Sequence, residues 1–313
     1  MHEDSLDDHP DLQRLRLSRK DQRRALAEAR RTRRQARASS SGPSFARRHR
    51  TVLVSVVVLA AVVAVGALVV DQGRAQAGVD LARPFAGTPA ADWSDGAAGI
   101  VPPEAAPVGP HPAAAVTDAY RRVRQVLVAS RLDRAVLEGH DHARYLALLA
   151  PAARPQVGEE LATPSEEAYT RVTRIADGFR LLSAQPKVRG EMSATPAADG
   201  TLLVRTNYVF VYAFEPADPD AVVRSEDILT VDRFEAEFRV AAGERWTPES
   251  RGVWPHSVRG FTYAAACDAF DRGELAPPYS DADRADPRQR AEDPATYFDP
   301  QVPIPTTSNC PAT

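Results

Sequence analysis

One run along this chain carries no charge at all. Residues 51–70 read TVLVSVVVLAAVVAVGALVV and are bounded by Arg50 and Asp71. At 1.5 Å per residue, a helix of this length covers about 30 Å, the thickness of a bilayer's hydrocarbon core. A backbone in lipid must satisfy its own hydrogen bonds, so the run is predicted to be a transmembrane helix.

Beyond it the pattern changes twice. Val116, Tyr120, Val123 and Leu127 recur at helical spacing, with Arg121, Arg122 and Arg124 between them, and Thr117 or the preceding proline could start the turn. Shorter helical pieces are expected at 132–137, ended by Gly139, and at 142–150, stopped by Pro151. Pro164 followed by Ser165-Glu166-Glu167 predicts another helix, with Ser165 as cap and the acids facing its positive end, running to about Asp177. After Gly178 the period becomes two. Strands are predicted at 179–192 (bulged at Pro186), 202–214, 228–240 and 252–266, with a hairpin turn at Ala198-Asp199-Gly200. Residues 202–214 are apolar on both faces and should form the central strand. Residues 228–240 alternate cleanly, with Phe234, Ala236 and Phe238 inward and Arg233, Glu235, Glu237 and Arg239 outward. One buried and one wet face argue for an antiparallel sheet. Helices first and strands after give an α+β domain over 113–270.

Charge adds direction. Residues 1–50 hold 14 Lys+Arg against 7 Asp+Glu, whereas residues 71–313 hold 25 against 35. The twenty residues before the span include seven arginines and no acid, while those after it balance Arg74 and Arg83 with Asp71 and Asp80. The positive-inside rule therefore places the N-terminus in the cytoplasm and the α+β domain outside the cell membrane. Ala75-Gln76-Ala77 fits a small-x-small cleavage pattern. The apolar run exceeds the roughly 7–15 residues of a signal peptide, however, so an uncleaved anchor is the preferred reading. The arm at 1–50, largely disordered, is expected to meet anionic headgroups, each basic residue near the surface adding about 1 kcal/mol. It carries no signature of nucleic-acid binding. Residues 71–112 are rich in Pro, Gly and Ala and read as an extended tether, from which Trp93, Ile100 and Val101 could dock on the domain. A proline-rich tail occupies 271–313.

Candidate chemistry is sparse. Cys267 and Cys310 are the only cysteines, and in an exported domain they are predicted to pair, tying the tail to the sheet. By chain entropy, closing such a loop contributes about 4 kcal/mol. His140-Asp141-His142 sits in a turn with no third ligand at metal-binding spacing. Glu159-Glu160 and Glu166-Glu167 flank a helix start, where the helix dipole alone favours acids. Asp232 shares the inward parity of Phe234, and a carboxylate in an apolar pocket can serve as acid or base. The plainer expectation puts Asp232 at the strand's wet end, paired with Arg233 or Arg205. Tyr208, Phe210 and Tyr212 either line a pocket or fill a core. No catalytic, cofactor or metal site is predicted.

Residues 121–132 (RRVRQVLVASRL), 207–214 (NYVFVYAF) and Cys267 with Asn309-Cys310 resemble segments of uncharacterised actinobacterial bitopic membrane proteins. Those proteins carry an extracytoplasmic nuclear transport factor 2-like (SnoaL-like) domain. The order of arm, span, tether, helices and sheet is also similar to mammalian-cell-entry-associated membrane proteins and to inner-membrane scaffold subunits of type IV secretion. The resemblance implies a cone-like curved sheet and a non-enzymatic scaffold or accessory subunit among other envelope proteins, with no catalytic residues to carry over. The competing expectation is a small apolar-ligand binder or pocket enzyme using Asp232.

Overall fold

The computed structural model describes residues 79–280, 294–306 and Cys310, all within one unit, Gly73–Thr313. The predicted span at 51–70 and the arm at 1–50 lie outside the described residues. Among the described residues, no helix is long and apolar enough to cross a membrane.

The longest helix, α1 (Ala113–Arg131), starts after Pro112 and buries Val116, Tyr120, Val123 and Leu127 on one face, as their spacing predicts. Thr117 lies one turn inside, its hydroxyl donating to the Ala113 carbonyl at 3.0 Å. Four short helices follow: α2 (Arg134–Leu137), α3 (Ala143–Leu148), α4 (Arg154–Glu160) and α5 (Glu166–Arg171). Asp133 caps α2, accepting from the Ala135 amide at 3.1 Å, and Ser165 caps α5, accepting from the Ala168 amide at 3.1 Å. The predicted extension of α5 to Asp177 fails for a tertiary reason. The Thr173 amide donates to Ser130 O at 3.0 Å and the Ile175 amide to Leu137 O at 2.9 Å, so this stretch pairs with α1 and α2 instead of continuing to coil.

Five antiparallel strands form one sheet in the order β1 (Ser94–Asp95), β2 (Lys187–Pro196), β3 (Leu202–Ala213), β4 (Leu229–Ala241) and β5 (Gly252–Tyr263). The hairpin turn is as predicted, with Gly200 at φ +84° and Asp199 accepting from the Thr201 amide at 2.9 Å. β3 is central, as its two apolar faces require. β2 begins only at Lys187, because Pro186 has no amide to give to the ladder. Residues 179–185 contribute a single bridge, between Leu181 and Phe214.

On the inner face, one cross-strand row reads Val188, Phe210, Asp232, Thr262 and the next reads Gly190, Tyr208, Phe234, Gly260. The glycines leave room for the two large rings between them. A Cβ on Gly260 would sit 2.9 Å from the Phe234 ring, and one on Gly190 would collide with Asn207 O and the Tyr208 ring. The helices cover this face, and their apolar sides join Tyr208, Phe210, Tyr212 and Phe234 in the main core.

The outer face corrects two expectations. Residues 79–112 are not an extended tether. Phe85 and Ala90 are buried, β1 pairs with β2, and Lys187 reaches Trp93 O at 2.9 Å and Asp95 at 3.0 Å. Consecutive turns close at Asp80–Arg83, Arg83–Ala86 and Phe85–Thr88, the use to which Pro- and Gly-rich chain is suited. Ile100 docks as foreseen, whereas Val101 stays exposed. The second correction is that this face is not wet throughout. Val209, Val211, Val231 and Tyr263 lie under residues 79–93 and Phe298, forming a second core. Cys267 and Cys310 are joined, with Cα atoms 5.5 Å apart. Cys267 opens a short helix, α6 (Cys267–Phe270), that strand alternation did not foresee. The tail thus crosses the sheet as a strap, with Tyr297 stacked on Tyr263 at 4.2 Å and Phe298 edge-on to Trp93 at 6.0 Å.

Candidate functional site

Asp232 is not at a wet end. It is wholly buried on the inner face, between Phe210 and Thr262 in the register. Three hydroxyls point at its carboxylate. Tyr169 from α5 donates to Oδ2 at 2.5 Å, Thr262 from β5 donates to Oδ1, and Thr173 lies 3.5 Å from Oδ2. Burial pushes this carboxyl above the ordinary carboxylate range, opposed by the hydrogen bonds from Thr262 and Tyr169 and by the Arg131 charge. Burial and the adjoining carboxylate drive the Tyr169 phenol upward as well.

Arg131, at the end of α1, completes the cluster. It is almost fully buried and donates to Tyr169 O at 3.0 Å, to Thr173 Oγ1 at 3.1 Å and to Thr170 O at 2.5 Å. Its guanidinium also lies 3.7 Å over the Phe234 ring. The Tyr212 hydroxyl donates to Arg131 O at 2.9 Å. Two helices, one loop and three strands therefore meet in one hydrogen-bonded group. Sequence reading picked out Tyr212 and Asp232 and missed Arg131, Tyr169, Thr173 and Thr262. Nothing local marks them, because the six come from separate elements and are aligned only by packing.

The rings on this face are packed as core. Tyr208, Phe210 and Tyr212 are at most 1 % exposed. Among Arg131, Tyr145 and Phe234 is a void of about 20 Å³, enough for about one water molecule, which Tyr208, Phe210 and Tyr212 do not line. Burial pushes the Tyr145 phenol up to about 12, and the Tyr208 phenol likewise. General acid–base work needs a substrate atom within hydrogen-bond reach, and Asp232 is not among the residues lining this void.

Of the other polar positions, several are engaged in holding the fold, while His142 Nε2 is buried with no hydrogen-bond partner among the described residues. His140 Nε2 is 2.9 Å from Ile175 O, and burial lowers the His142 pKa. Among the described residues, no group of three His, Cys, Asp or Glu could hold a metal ion. Glu160 pairs with Arg171 at 2.7 Å, and Glu166 and Glu167 occupy the first turn of α5.

An open groove of about 580 Å³ lies on the opposite face, lined by residues of β2 to β5. Its floor is a charged lattice in which Arg205 pairs with Glu237 at 2.7 Å and Arg259 with Glu235 at 2.6 Å. Glu191 lines it with no ion pair among the described residues. At the groove's edge the strap comes down on the sheet. Asn207 Nδ2 donates to Pro300 O at 2.9 Å, and the buried Arg233 donates to Pro300 O at 3.2 Å and to Val302 O at 2.5 Å. Asn207 Oδ1 and two further Arg233 nitrogens have no hydrogen-bond partner among the described residues. Alternation alone made Arg233 an outward, solvated residue; the strap buries it. No protein-family model matches this chain, and neither curated proteins nor solved structures give a match at a significant level.

Proposed function

We propose that this chain is a single-pass membrane protein whose extracytoplasmic domain is a non-enzymatic scaffold or accessory subunit of an envelope or secretion assembly. Residues 51–70 would form the anchor, and the basic arm would face the cytoplasm and its anionic lipids. The observation that carries the reading is the filled inner face. Tyr208, Phe210 and Tyr212 pack as core, the void beside Phe234 is about 20 Å³, and the Asp232 carboxylate is engaged by hydroxyls of the protein itself. A pocket enzyme or apolar-ligand binder needs that space open. What stays accessible is a charged groove, suited to contact with another protein.

The glycines flanking Tyr208 and Phe234 favour a sheet that curves around its aromatic rings, in keeping with a cone-like nuclear transport factor 2-like domain. Helices followed by an antiparallel meander fit the same family of folds. Two measurements test the proposal. Protease added to intact protoplasts should remove the domain and spare an N-terminal tag. Crosslinking in native membranes should return defined envelope partners, and Asp232→Asn should leave those partners in place. Recovery of no partner, together with a small molecule carried through purification, overturns the scaffold reading.

A further inference from the structure

The outer face of the sheet already holds one polypeptide segment. At Pro300–Val302 the strap lies over β3 and β4, its carbonyls taken by side chains of the sheet, Asn207 and Arg233. Among the described residues, the strap's hydrogen bonds to this part of the sheet end at Asn207, in the row Glu191, Asn207, Glu235, Arg259. From that row outward the same four strands, at about 4.8 Å spacing, form the groove of about 580 Å³, open among the described residues. Asn207 belongs to both halves. Its amide nitrogen serves the strap, and its Oδ1 has no donor among the described residues.

Charge indicates what fits. The groove holds Glu191, Glu235 and Glu237 against Arg205 and Arg259. Both arginines are committed to Glu237 and Glu235, and Ser257 also donates to Glu237 at 2.8 Å. Glu191, exposed at the groove's β2 side, makes no ion pair among the described residues.

We infer that the open half of this face is the docking site for an extended segment of a partner protein, continuing the covered half, with a Lys or Arg of that segment set against Glu191. The inference rests on the scaffold reading and names the surface that reading uses. Exposed large apolar side chains are few among the described residues, Val101 and Val223, so the rest of the surface offers no competing apolar patch.

The test uses the full-length chain in its native membrane. A photocrosslinking residue is placed at Ser193 in the groove and, separately, at exposed Val223 outside it. The expected result is a crosslink from position 193 to one partner, mapped to an extended segment with a basic residue. Glu191→Lys should cut its yield about tenfold, and reversing that basic residue to Glu should restore it. A partner joined from position 223 but not from 193 overturns the groove and spares the scaffold reading. An unchanged yield with Glu191→Lys also overturns it. If neither position joins any protein, both fail together.

Discussion

The two faces of one sheet solve the same problem in different ways. On the inner face, the polar groups around Asp232 satisfy one another, although the Tyr208 hydroxyl has no partner among the described residues. Asp232 takes hydroxyls from Tyr169 and Thr262, and Tyr212 closes on Arg131 O. On the outer face, the buried Arg233 has no such circle and relies on two carbonyls of the strap. The inner arrangement is built from elements fixed by their own helices and strands. The outer one depends on a segment with little regular structure, held by a disulfide. An interior can thus be covered by regular elements or by strapping, and the second needs a covalent tie to offset the entropy of an otherwise free chain.

The comparison can be broken most sharply at the tie. Cys310→Ser should cost about 4 kcal/mol, the chain-entropy estimate for its loop, measured by urea denaturation. It should also expose Val209, Val231 and Tyr263 to an apolar dye while leaving the inner-face tyrosines protected. Loss of protection on both faces at once would mean that the strap and the inner core are one cooperative unit.

Removing one hydroxyl from the inner cluster comes next. Tyr169→Phe takes a hydrogen bond from a buried carboxyl and should cost about 2 kcal/mol. Its effect on the strap, followed by hydrogen exchange at 296–302, should be negligible.

The faces should also differ in the sign of their pH dependence. The Asp232 pKa is raised in the fold, chiefly by burial, so its contribution is full below its ordinary value of 3.8 and is lost as pH rises through the folded value. Glu237 on the outer face is lowered, chiefly by its hydrogen bond from Arg205, so its contribution holds above its ordinary value of 4.5 and is lost as pH falls. Asp232→Asn should remove the first slope and leave the second, in denaturation series between about pH 3 and 7. A variant that keeps the falling slope would show that another buried group carries it.

The smallest effect belongs to the exposed lattice. Glu237→Gln, which breaks a half-exposed pair with Arg205, should change stability by less than about 1 kcal/mol. A larger loss would mean that the groove floor is structural rather than a free surface.

Particular stretches show how far sequence reading reached. The face of α1, the cap at Ser165, the turn at Asp199-Gly200, the central place of β3 and the pairing of Cys267 with Cys310 all followed from local pattern. Periodicity, capping chemistry and a cysteine count are properties of the chain itself. The packing of residues 79–112 did not follow. Their prolines and glycines signal only that no long helix or strand forms, and the turns that replace them gain from a sheet strand more than ninety residues away. The length of α5 was likewise settled by hydrogen bonds from Thr173 and Ile175 to α1 and α2.

Parity along β4 placed Asp232 and Arg233 on opposite faces, and that much the sequence determined. What each face meets was decided only by the tertiary structure. Asp232 is buried because Tyr169, Thr173 and Thr262 arrive from other elements with their hydroxyls. Arg233 is buried because a strap fastened at Cys310 crosses above it. Alternation is a local geometric rule of the strand, whereas burial depends on everything that packs on it, and that is a property of the whole fold.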